Sequence, residues 1–246
     1  MTPAYLFAAG LLAGAVNAVA GGGPVLTLAA LTALGFDPRI ANLTSTVALS
    51  PGQILAGWSA RSGLPLLRAR GHNLLSAFAI SIAGGAVGAG LLLATDGQQF
   101  RAIVPWLVLL ATGLYAWSGR SGLALEGEKT IPRPLFLAAL GMSAIYGGYF
   151  GGGNSFVVLA LLATAGLADK AGGSVKNALI AAINLGAVAL FAQSGEVDWP
   201  TALAVATGGL VGSAIGVRLL GRINPAFFRR LVILCGLVLT AWFFVI

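Results

Sequence analysis

Long stretches without a charged residue dominate the chain and predict helices that cross a lipid bilayer. Stretches free of Asp, Glu, Lys and Arg cover residues 1–36, 40–60, 71–95, 102–119, 134–168, 177–195, 199–217 and 231–246. A spanning helix needs about 20 apolar residues to cross about 30 Å of hydrocarbon. Six of the stretches are close to that length, so each of them predicts one spanning helix.

The other two stretches, 1–36 and 134–168, are nearly twice too long for a single span. At about 1.5 Å per residue, a continuous helix of either length would exceed about 50 Å. Three consecutive glycines interrupt each stretch near its middle, at residues 21–23 and 151–153, and Pro24 follows the first triplet. Membrane helices can break at glycine and proline. We therefore predict two helical hairpins that turn at the glycines and either re-enter or fully cross the membrane.

The order of features in the first half of the chain recurs in the second half. Each half has a glycine-interrupted stretch, a polar helix start and then a glycine-rich span, followed by a Phe-Arg pair before the last span. We predict an all-α, polytopic membrane protein of two inverted repeats, each with a glycine-broken helical hairpin plus three transmembrane helices. The predicted boundaries are 1–117 for the first repeat, 118–134 for a cytoplasmic linker and 135–246 for the second repeat.

The positions of the basic residues support the inversion of the two repeats. If each hairpin enters and leaves on one side, each repeat has an odd number of crossings, and the segments 61–73, 118–134, 166–176 and 218–230 share one side. These segments hold twelve of the fourteen Lys and Arg residues, as the positive-inside rule expects of cytoplasmic segments. The net charge of +7 is therefore interpreted as a topology signal, and no nucleic-acid partner is expected.

Composition excludes a soluble domain and argues against an enzyme. Hydrophobic residues make up 58% of the chain and charged residues 9%, whereas soluble domains carry about 25% charged residues. Cys235 and His72 are the chain's single cysteine and histidine, and neither is well placed for a nucleophile–base pair or a metal cluster. His72 and Arg70 lie in a basic loop, where surface roles are expected. No catalytic residue, metal ligand or cofactor is predicted.

The two glycine triplets and the polar residues near them predict an anion-binding site. A helix break inside the bilayer is tolerated where its free backbone groups face a wet cavity. The helix after each break presents N–H groups and the positive end of its dipole, which favour an anion. The predicted substrate-binding residues are Asn17, Gly21, Gly22, Gly23, Thr44, Ser45, Thr46, Gly151, Gly152, Gly153, Asn154, Ser155, Ser174, Lys176 and Asn177.

Some of these polar and glycine residues have a structural alternative. Lys176 either contacts the anion or extends to the cytoplasmic interface as a snorkelling lysine. Gln53 and Asn184 are mid-span amides, and we expect them to bond between helices rather than to bind substrate. Close helix packing is the favoured interpretation for the small residues of the glycine-rich spans. These are Gly84, Gly85, Gly88, Gly208, Gly209 and Gly212.

Several of these segments resemble the TauE/SafE sulfite exporter family. Segments 14–23, 34–38 and 41–46 are similar to its first half, and segments 148–153 and 174–177 to its second repeat. The resemblance covers essentially the whole chain. It implies a multi-pass transporter of the bacterial or archaeal inner membrane for sulfur-containing anions, namely sulfite, sulfonates such as sulfoacetate, or thiosulfate.

A secondary carrier, acting as an exporter by alternating access, is the leading hypothesis for the mechanism. The chain has no Walker-type Gly-x-x-x-x-Gly-Lys-Ser/Thr motif, which argues against direct use of ATP. An anion channel, or an uptake carrier for another small organic anion, is the alternative. The expected partners are a small anionic substrate and the lipid bilayer, and a homodimer is left open. The identity of the anion, the direction of transport and the coupling ion are also open.

Overall fold

The computed structural model describes residues 3–20, 22–59, 61–118, 131–167, 170–219 and 225–245. Within these ranges the chain forms eleven α-helices, one 3₁₀ turn (Arg61–Gly63) and no β-strand, so the all-α prediction is confirmed. Most of the predicted linker 118–134 lies outside the described residues, and the domain boundaries stay a prediction. The helices are α1 (Pro3–Ala20), α2 (Gly23–Ala33), α3 (Pro38–Ser59), α4 (Leu64–Ala69), α5 (Leu74–Ala94), α6 (Gly97–Ser118), α7 (Arg133–Tyr149), α8 (Asn154–Thr164), α9 (Lys170–Phe191), α10 (Trp199–Leu219) and α11 (Pro225–Val245).

Both long stretches are broken at the glycine triplets. The first break separates α1 from α2, and the second separates α7 from α8. The helices α2 and α8 have 11 residues each, which corresponds to about 16 Å, or about half of the hydrocarbon thickness. Each hairpin therefore has a second arm too short to cross the hydrocarbon by itself. At the second break Gly151 and Gly153 have φ of +76° and +75°, a conformation that glycine adopts without strain.

Corresponding helices of the two halves make corresponding contacts. The order α1, α2, α3, α5, α6 in the first half matches α7, α8, α9, α10, α11 in the second. Helix α1 packs on α10, as α7 packs on α5, and α3 packs on α10, as α9 packs on α5. The pairs α3–α9 and α6–α11 also pack across the two halves. Each hairpin is thus held mainly by the three-helix part of the other half.

The directions of these helix pairs agree with an inverted duplication. Helices α1 and α10 run parallel, because Gly10 lies against Val205 and Gly14 lies against Gly209. The pairs α3–α10, α5–α7 and α5–α9 are parallel by the same kind of contact. Helix α3 runs opposite to α9, since Arg39 at the start of α3 pairs with Glu196 beyond the end of α9, while Gly57 near the end of α3 packs on Asn177 and Ala178 in the first half of α9. Corresponding helices are therefore opposed, while their sidedness in the membrane stays a prediction.

The glycine-rich spans are packing surfaces, as interpreted from the sequence. A Cβ atom added to Gly85 or Gly88 of α5 would lie 2.0 Å from a backbone carbonyl oxygen of α9 or α7. A Cβ atom added to Gly208 or Gly212 of α10 would lie 2.0 Å from a carbonyl oxygen of α1. Small residues at these positions let the helix backbones approach closely.

Substitution of Gly88 by leucine is expected to disrupt the fold. The new side chain would meet the backbone of α7, which cannot shift without moving the second hairpin, and overpacking costs about 1–3 kcal/mol or more. Size-exclusion profiles and thermal unfolding in detergent measure the effect. Gly113→Leu on α6 is the matched control, because a Cβ atom there has open space. Equal stability of the two variants would contradict the packing account.

His72 is buried, contrary to the surface position expected for it. Its exposed fraction is 3%, and its ring stacks on Phe136 with centroids 4.1 Å apart. Neither ring nitrogen has a hydrogen-bond partner among the described residues. Burial, and secondly the charge of Arg133, lower the pKa of His72 below its usual 6.5. The basic loop folds back on α7, so the imidazole is held neutral between aromatic and apolar groups.

Mild acid is expected to destabilise the protein through His72. As the pH falls from 7.5 to 5.5 the unfolded chain takes up a proton near pH 6.5, while the folded imidazole resists protonation, so the free energy of unfolding decreases. His72→Phe keeps a ring against Phe136 and removes this contribution. Thermal unfolding of both proteins across this pH window tests the expectation. The same pH dependence in both would show that His72 does not titrate with folding.

The outer surface of the helix bundle is apolar, as lipid contact requires. Leu75, Trp106 and Met142 are 79%, 61% and 74% exposed, although all three are large hydrophobic residues. Two of the described helical segments, Leu74–Ala94 and Gly172–Phe191, are long and apolar enough to cross a membrane by themselves.

Candidate functional site

Helices α3 and α9 cross the centre of the molecule and present equivalent faces to one cavity. Thr46, Leu49 and Gln53 lie on one face of α3, at the i, i+3, i+7 spacing of a helical stripe. The same spacing on α9 places Asn177, Ile180 and Asn184 on one face, and each lies 131 positions after its counterpart. All six residues line the cavity or its narrow inner end. The duplication is therefore visible in the wall of the site itself.

The wide part of the cavity has a volume of about 270 Å³ and an uncharged wall of mixed polar and apolar residues. None of the described residues that line it is charged. Hydroxyl and amide groups can donate hydrogen bonds to an anion, and no carboxylate is present in this wall to repel it. The lining residues are Asn17, Ala18, Gly52, Gln53, Ala56, Ser59, Ser155, Ser174, Asn177, Ile180 and Ser213.

Toward mid-depth the cavity narrows to a space of about 10 Å³ where the two hairpin tips meet. Asn17 and Pro24 of the first hairpin line this space together with Gly151, Asn154 and Ser155 of the second. The stripe residues of α3 and α9 complete the wall. This point lies near the middle of the 22-residue helix α3, so it is close to the centre of the bilayer. The two helix breaks therefore face each other across one space, as the sequence predicts.

Each hairpin contains an asparagine packed against a glycine. The asparagine lies on the first arm of the first hairpin and on the second arm of the second hairpin. In the first hairpin Asn17 of α1 lies against Gly23 of α2, where an added Cβ atom would be 2.6 Å from the asparagine Cβ. In the second hairpin Asn154 of α8 lies against Gly147 of α7, where an added Cβ atom would be 2.1 Å from Nδ2. The Asn154 amide oxygen also accepts a 2.6 Å hydrogen bond from Ser143. An amide thus braces the tip of both hairpins.

The returning helices start at the cavity without a side-chain cap. Neither α2 nor α8 has a side-chain hydrogen bond at its N-cap. Pro24 and Ser155, both in the first turns of these helices, line the narrow space. The positive ends of the α2 and α8 dipoles therefore point toward the same place. Helix N-termini arranged in this way favour an anion.

The structure brings seven of the predicted site residues to the cavity. Asn17, Ser155, Ser174 and Asn177 line the wide part, while Asn17, Ser155, Thr46, Gly151 and Asn154 line the narrow part. These residues are placed where they could contact a bound anion, and their binding roles stay predictions.

The other predicted residues lie elsewhere or outside the described ranges. Gly22, Gly23, Gly152 and Gly153 are buried in the packing of the breaks, and Gly21 lies outside the described residues. Thr44 and Ser45 are 0% and 1% exposed, beyond the narrow end, and the Thr44 hydroxyl accepts a hydrogen bond from the Asp198 N–H at 3.4 Å. Lys176 is half-buried and is not among the cavity-lining residues.

Gln53, Asn184, Ser59 and Ser213 line the cavity, although sequence analysis did not assign them to the site. Gln53 lines both parts, and its Oε1 atom has no hydrogen-bond partner in the part of the chain that the structure describes. The signal that could have found the two amides is the shared stripe, since Gln53 follows Thr46 and Asn184 follows Asn177 by the same seven positions.

The cavity reaches the surface of the bundle near Ser59. Ser59, which is exposed, and Ser174 lie at its wide end, and the basic segment that begins with Arg61 follows Ser59 closely along the chain. Beyond the narrow end Asn42, Thr44 and Ser45 of α3 are buried, and Asn42 donates a 3.0 Å hydrogen bond to the Tyr149 carbonyl at the end of α7. Under the predicted topology, this is a conformation open to the cytoplasm and closed to the outside.

Comparison with known proteins gives a consistent result along the whole chain. The family described as Sulfite exporter TauE/SafE matches residues 6–243. The "Probable membrane transporter protein YfcA" of Escherichia coli K12 is 28% identical over 238 residues, which cover 96% of this chain and 87% of that protein. A "Probable membrane transporter protein" of Haemophilus influenzae is 27% identical over 243 residues, with coverage of 97% and 92%. No solved structure matches the chain.

Proposed function

Since the chain belongs to the TauE/SafE sulfite exporter family and is a multi-pass transporter of the cell membrane, we propose that it carries small sulfur-containing anions through the cavity between its two hairpin tips. Sulfite, sulfonates and thiosulfate are the proposed substrates. Export is the proposed direction, because an inside-negative membrane potential favours expulsion of an anion by about 2.3 kcal/mol per charge per 100 mV.

The observation that carries this proposal is the meeting of both helix breaks at one neutral, polar space. Asn17, Gln53 and Ser155 offer amide or hydroxyl donors there, Asn177 does so in the adjoining wide part, and two helix N-termini without side-chain caps point toward it. Neutral donors and dipoles can hold an anion without a fixed cation whose own burial in the membrane would be costly. The wide part of the cavity, with a volume of about 270 Å³, admits a small anion with part of its hydration, next to the space of about 10 Å³ between the tips.

Closure at one end favours a carrier over the alternative of a channel. A carrier by alternating access exposes its site to one side at a time, and opposed repeats around a mid-depth site support such an exchange. The cavity reaches the surface near Ser59, whereas buried residues and the Asn42–Tyr149 hydrogen bond lie beyond its narrow end, which supports access from one side at a time. A channel would conduct without counterflow and at far higher flux, and this difference separates the two functions experimentally.

The proposal is tested with purified protein in two steps. Thermal unfolding is measured with sulfite, sulfonates, thiosulfate, sulfate and carboxylates, and the anion with the largest stabilisation is then used for counterflow in proteoliposomes. We expect a sulfur-containing anion to stabilise the protein, as ligand binding to the folded state must, and to show counterflow. Absence of stabilisation and flux with every sulfur-containing anion would contradict the proposed substrate class, and flux without counterflow would indicate a channel.

A further inference from the structure

Arg39 lies on the cavity-lining face of α3, outside the closed end of the cavity. Asn42 and Thr46 follow it at the spacing of one helix face, and Thr46 lines the narrow end. Arg39 is two helical turns beyond Thr46, or about 10 Å along the axis. An anion that moves from the narrow end along this face therefore passes Asn42 and then reaches Arg39.

The guanidinium of Arg39 ties together three separate parts of the fold. It forms a two-pronged ion pair with Glu196 in the α9–α10 connection, and the Nη2–Oε1 distance of this pair is 3.0 Å. Its Nε atom donates to the Leu92 carbonyl at 3.1 Å, and Nη2 also donates to the Leu93 carbonyl at 3.0 Å. The Arg39 side chain is only 13% exposed, whereas that of Glu196 is 33% exposed.

The Glu196 carboxylate binds the Arg39 guanidinium in the way that a sulfur oxyanion could. A planar guanidinium binds two oxygens of a carboxylate, and the same fork fits two oxygens of a sulfur oxyanion. The two carbonyls at the end of α5 hold the guanidinium in place independently of Glu196. If the α9–α10 connection moves away, Arg39 remains on the α3 face beside the cavity. The hydrogen-bond donors released by Glu196 can then bind a transported anion.

The sequence of the second half places a cation at the equivalent point. Lys170 follows Arg39 by 131 positions, the same offset that relates the cavity stripes, and it begins α9 at the opposite end of the bundle. Each crossing helix thus starts with a basic residue at its own end of the path. Arg101, the other basic residue at the Arg39 end, is 51% exposed and pairs with Asp37 at 3.4 Å, away from the α3 face.

We propose that Arg39 is the anion-positioning residue at the outer end of the transport path, occupied by Glu196 when that end is closed and by the transported anion when it opens. This inference rests on the proposed function and adds to it a site outside the cavity. Glu196 then competes with the substrate for Arg39, in addition to bracing the fold. Removal of Arg39 and removal of the Glu196 carboxylate are therefore expected to change the external KM in opposite directions.

Side-specific transport kinetics test the assignment. In oriented proteoliposomes R39Q is expected to raise the external KM about tenfold or more, because a hydrogen bond to a charged group is lost, with the internal KM unchanged. E196Q is expected to lower the external KM, since it removes the competing carboxylate. R101Q is the matched control and is expected to leave both KM values unchanged. A higher external KM in both R39Q and E196Q would overturn the proposal in favour of a structural brace.

The exchanged pair R39E/E196R separates the two roles further. If Arg39 acted only through its ion pair with Glu196, the exchange would restore the transport that is lost in R39Q. An anion-positioning Arg39 requires the cation at position 39, so the external KM is expected to remain high in the exchanged variant. Restoration of the external KM to the wild-type value would overturn the proposal, even if R39Q alone folds poorly.

A labelling experiment tests the role of Glu196 without measuring transport, so its outcome does not depend on the proposed substrate class. Thr46→Cys in a Cys235→Ala background is exposed to a membrane-impermeant maleimide from the outside. E196Q is expected to increase its labelling rate several-fold, because the outer end opens more often, and an unchanged rate would overturn the role of Glu196. Wild-type protein that fails to transport every sulfur-containing anion would contradict the proposed substrate class on that result alone, whatever the labelling rate.

Discussion

Gly151→Leu is expected to reduce transport to background while leaving the protein folded and inserted in the membrane. Gly151 lines the narrow end, whose volume is about 10 Å³, so a leucine side chain there would fill the space between the hairpin tips. It would also disturb the second break, because Gly151 has a φ of +76° and other residues are strained by about 1–2 kcal/mol in that region. Counterflow and anion-induced thermal stabilisation measure the loss.

Gly35→Leu is the matched control for this strain. Gly35 has a φ of +87° but lies in the exposed connection between α2 and α3, where an added Cβ atom meets nothing within 4 Å. Both substitutions therefore carry a similar backbone penalty, and only one of them fills the cavity. If Gly35→Leu lost transport as completely as Gly151→Leu, or if Gly151→Leu transported normally, the site between the tips would be wrong.

Gln53→Met is expected to weaken anion binding about tenfold or more. Gln53 lines both parts of the cavity and is available to donate its side-chain N–H to a bound anion. Hydrogen bonds to charged groups contribute about 1.5–3 kcal/mol, and each 1.4 kcal/mol corresponds to a tenfold change in affinity. Methionine keeps the length of the side chain and removes the donor. Titration of the anion against the thermal unfolding midpoint gives the affinity.

Gln98→Met serves as the control for Gln53→Met. Gln98 is exposed near the start of α6, remote from the hairpin tips, so the same chemical change there is expected to leave the affinity unchanged. An unchanged affinity in Gln53→Met would contradict a binding role for this amide.

The elements of the fold are largely predictable because each depends on local composition. Span length identifies the crossing helices, and a stretch too long for one span with glycines at its middle identifies a hairpin. Composition does not give the lengths of the returning helices. The structure shows that α2 and α8 are only about half as long as the hydrocarbon is thick. It also shows that the hairpins are held by the opposite half of the chain.

The site is only partly predictable because helix faces decide which polar residues meet. Thr44, Ser45 and Thr46 are adjacent in sequence, but successive residues on a helix point about 100° apart, and of the three only Thr46 faces the cavity. Gln53 and Asn184 belong to the wall because two stripes, 131 positions apart, converge. His72 is buried because its loop folds onto Phe136, a contact that no local pattern predicts.

The location of the bound anion is the most direct test of the central claim. Crystals grown with the best-stabilising sulfur-containing anion would be measured at long wavelength, where the sulfur atoms of Met142 and Cys235 provide internal reference peaks. Apart from the sulfur atoms of the chain's two methionines and one cysteine, we expect a sulfur peak from the anion within hydrogen-bond distance of Ser155 and Gln53. A well-ordered anion bound elsewhere, with the space between the hairpin tips empty, would contradict it.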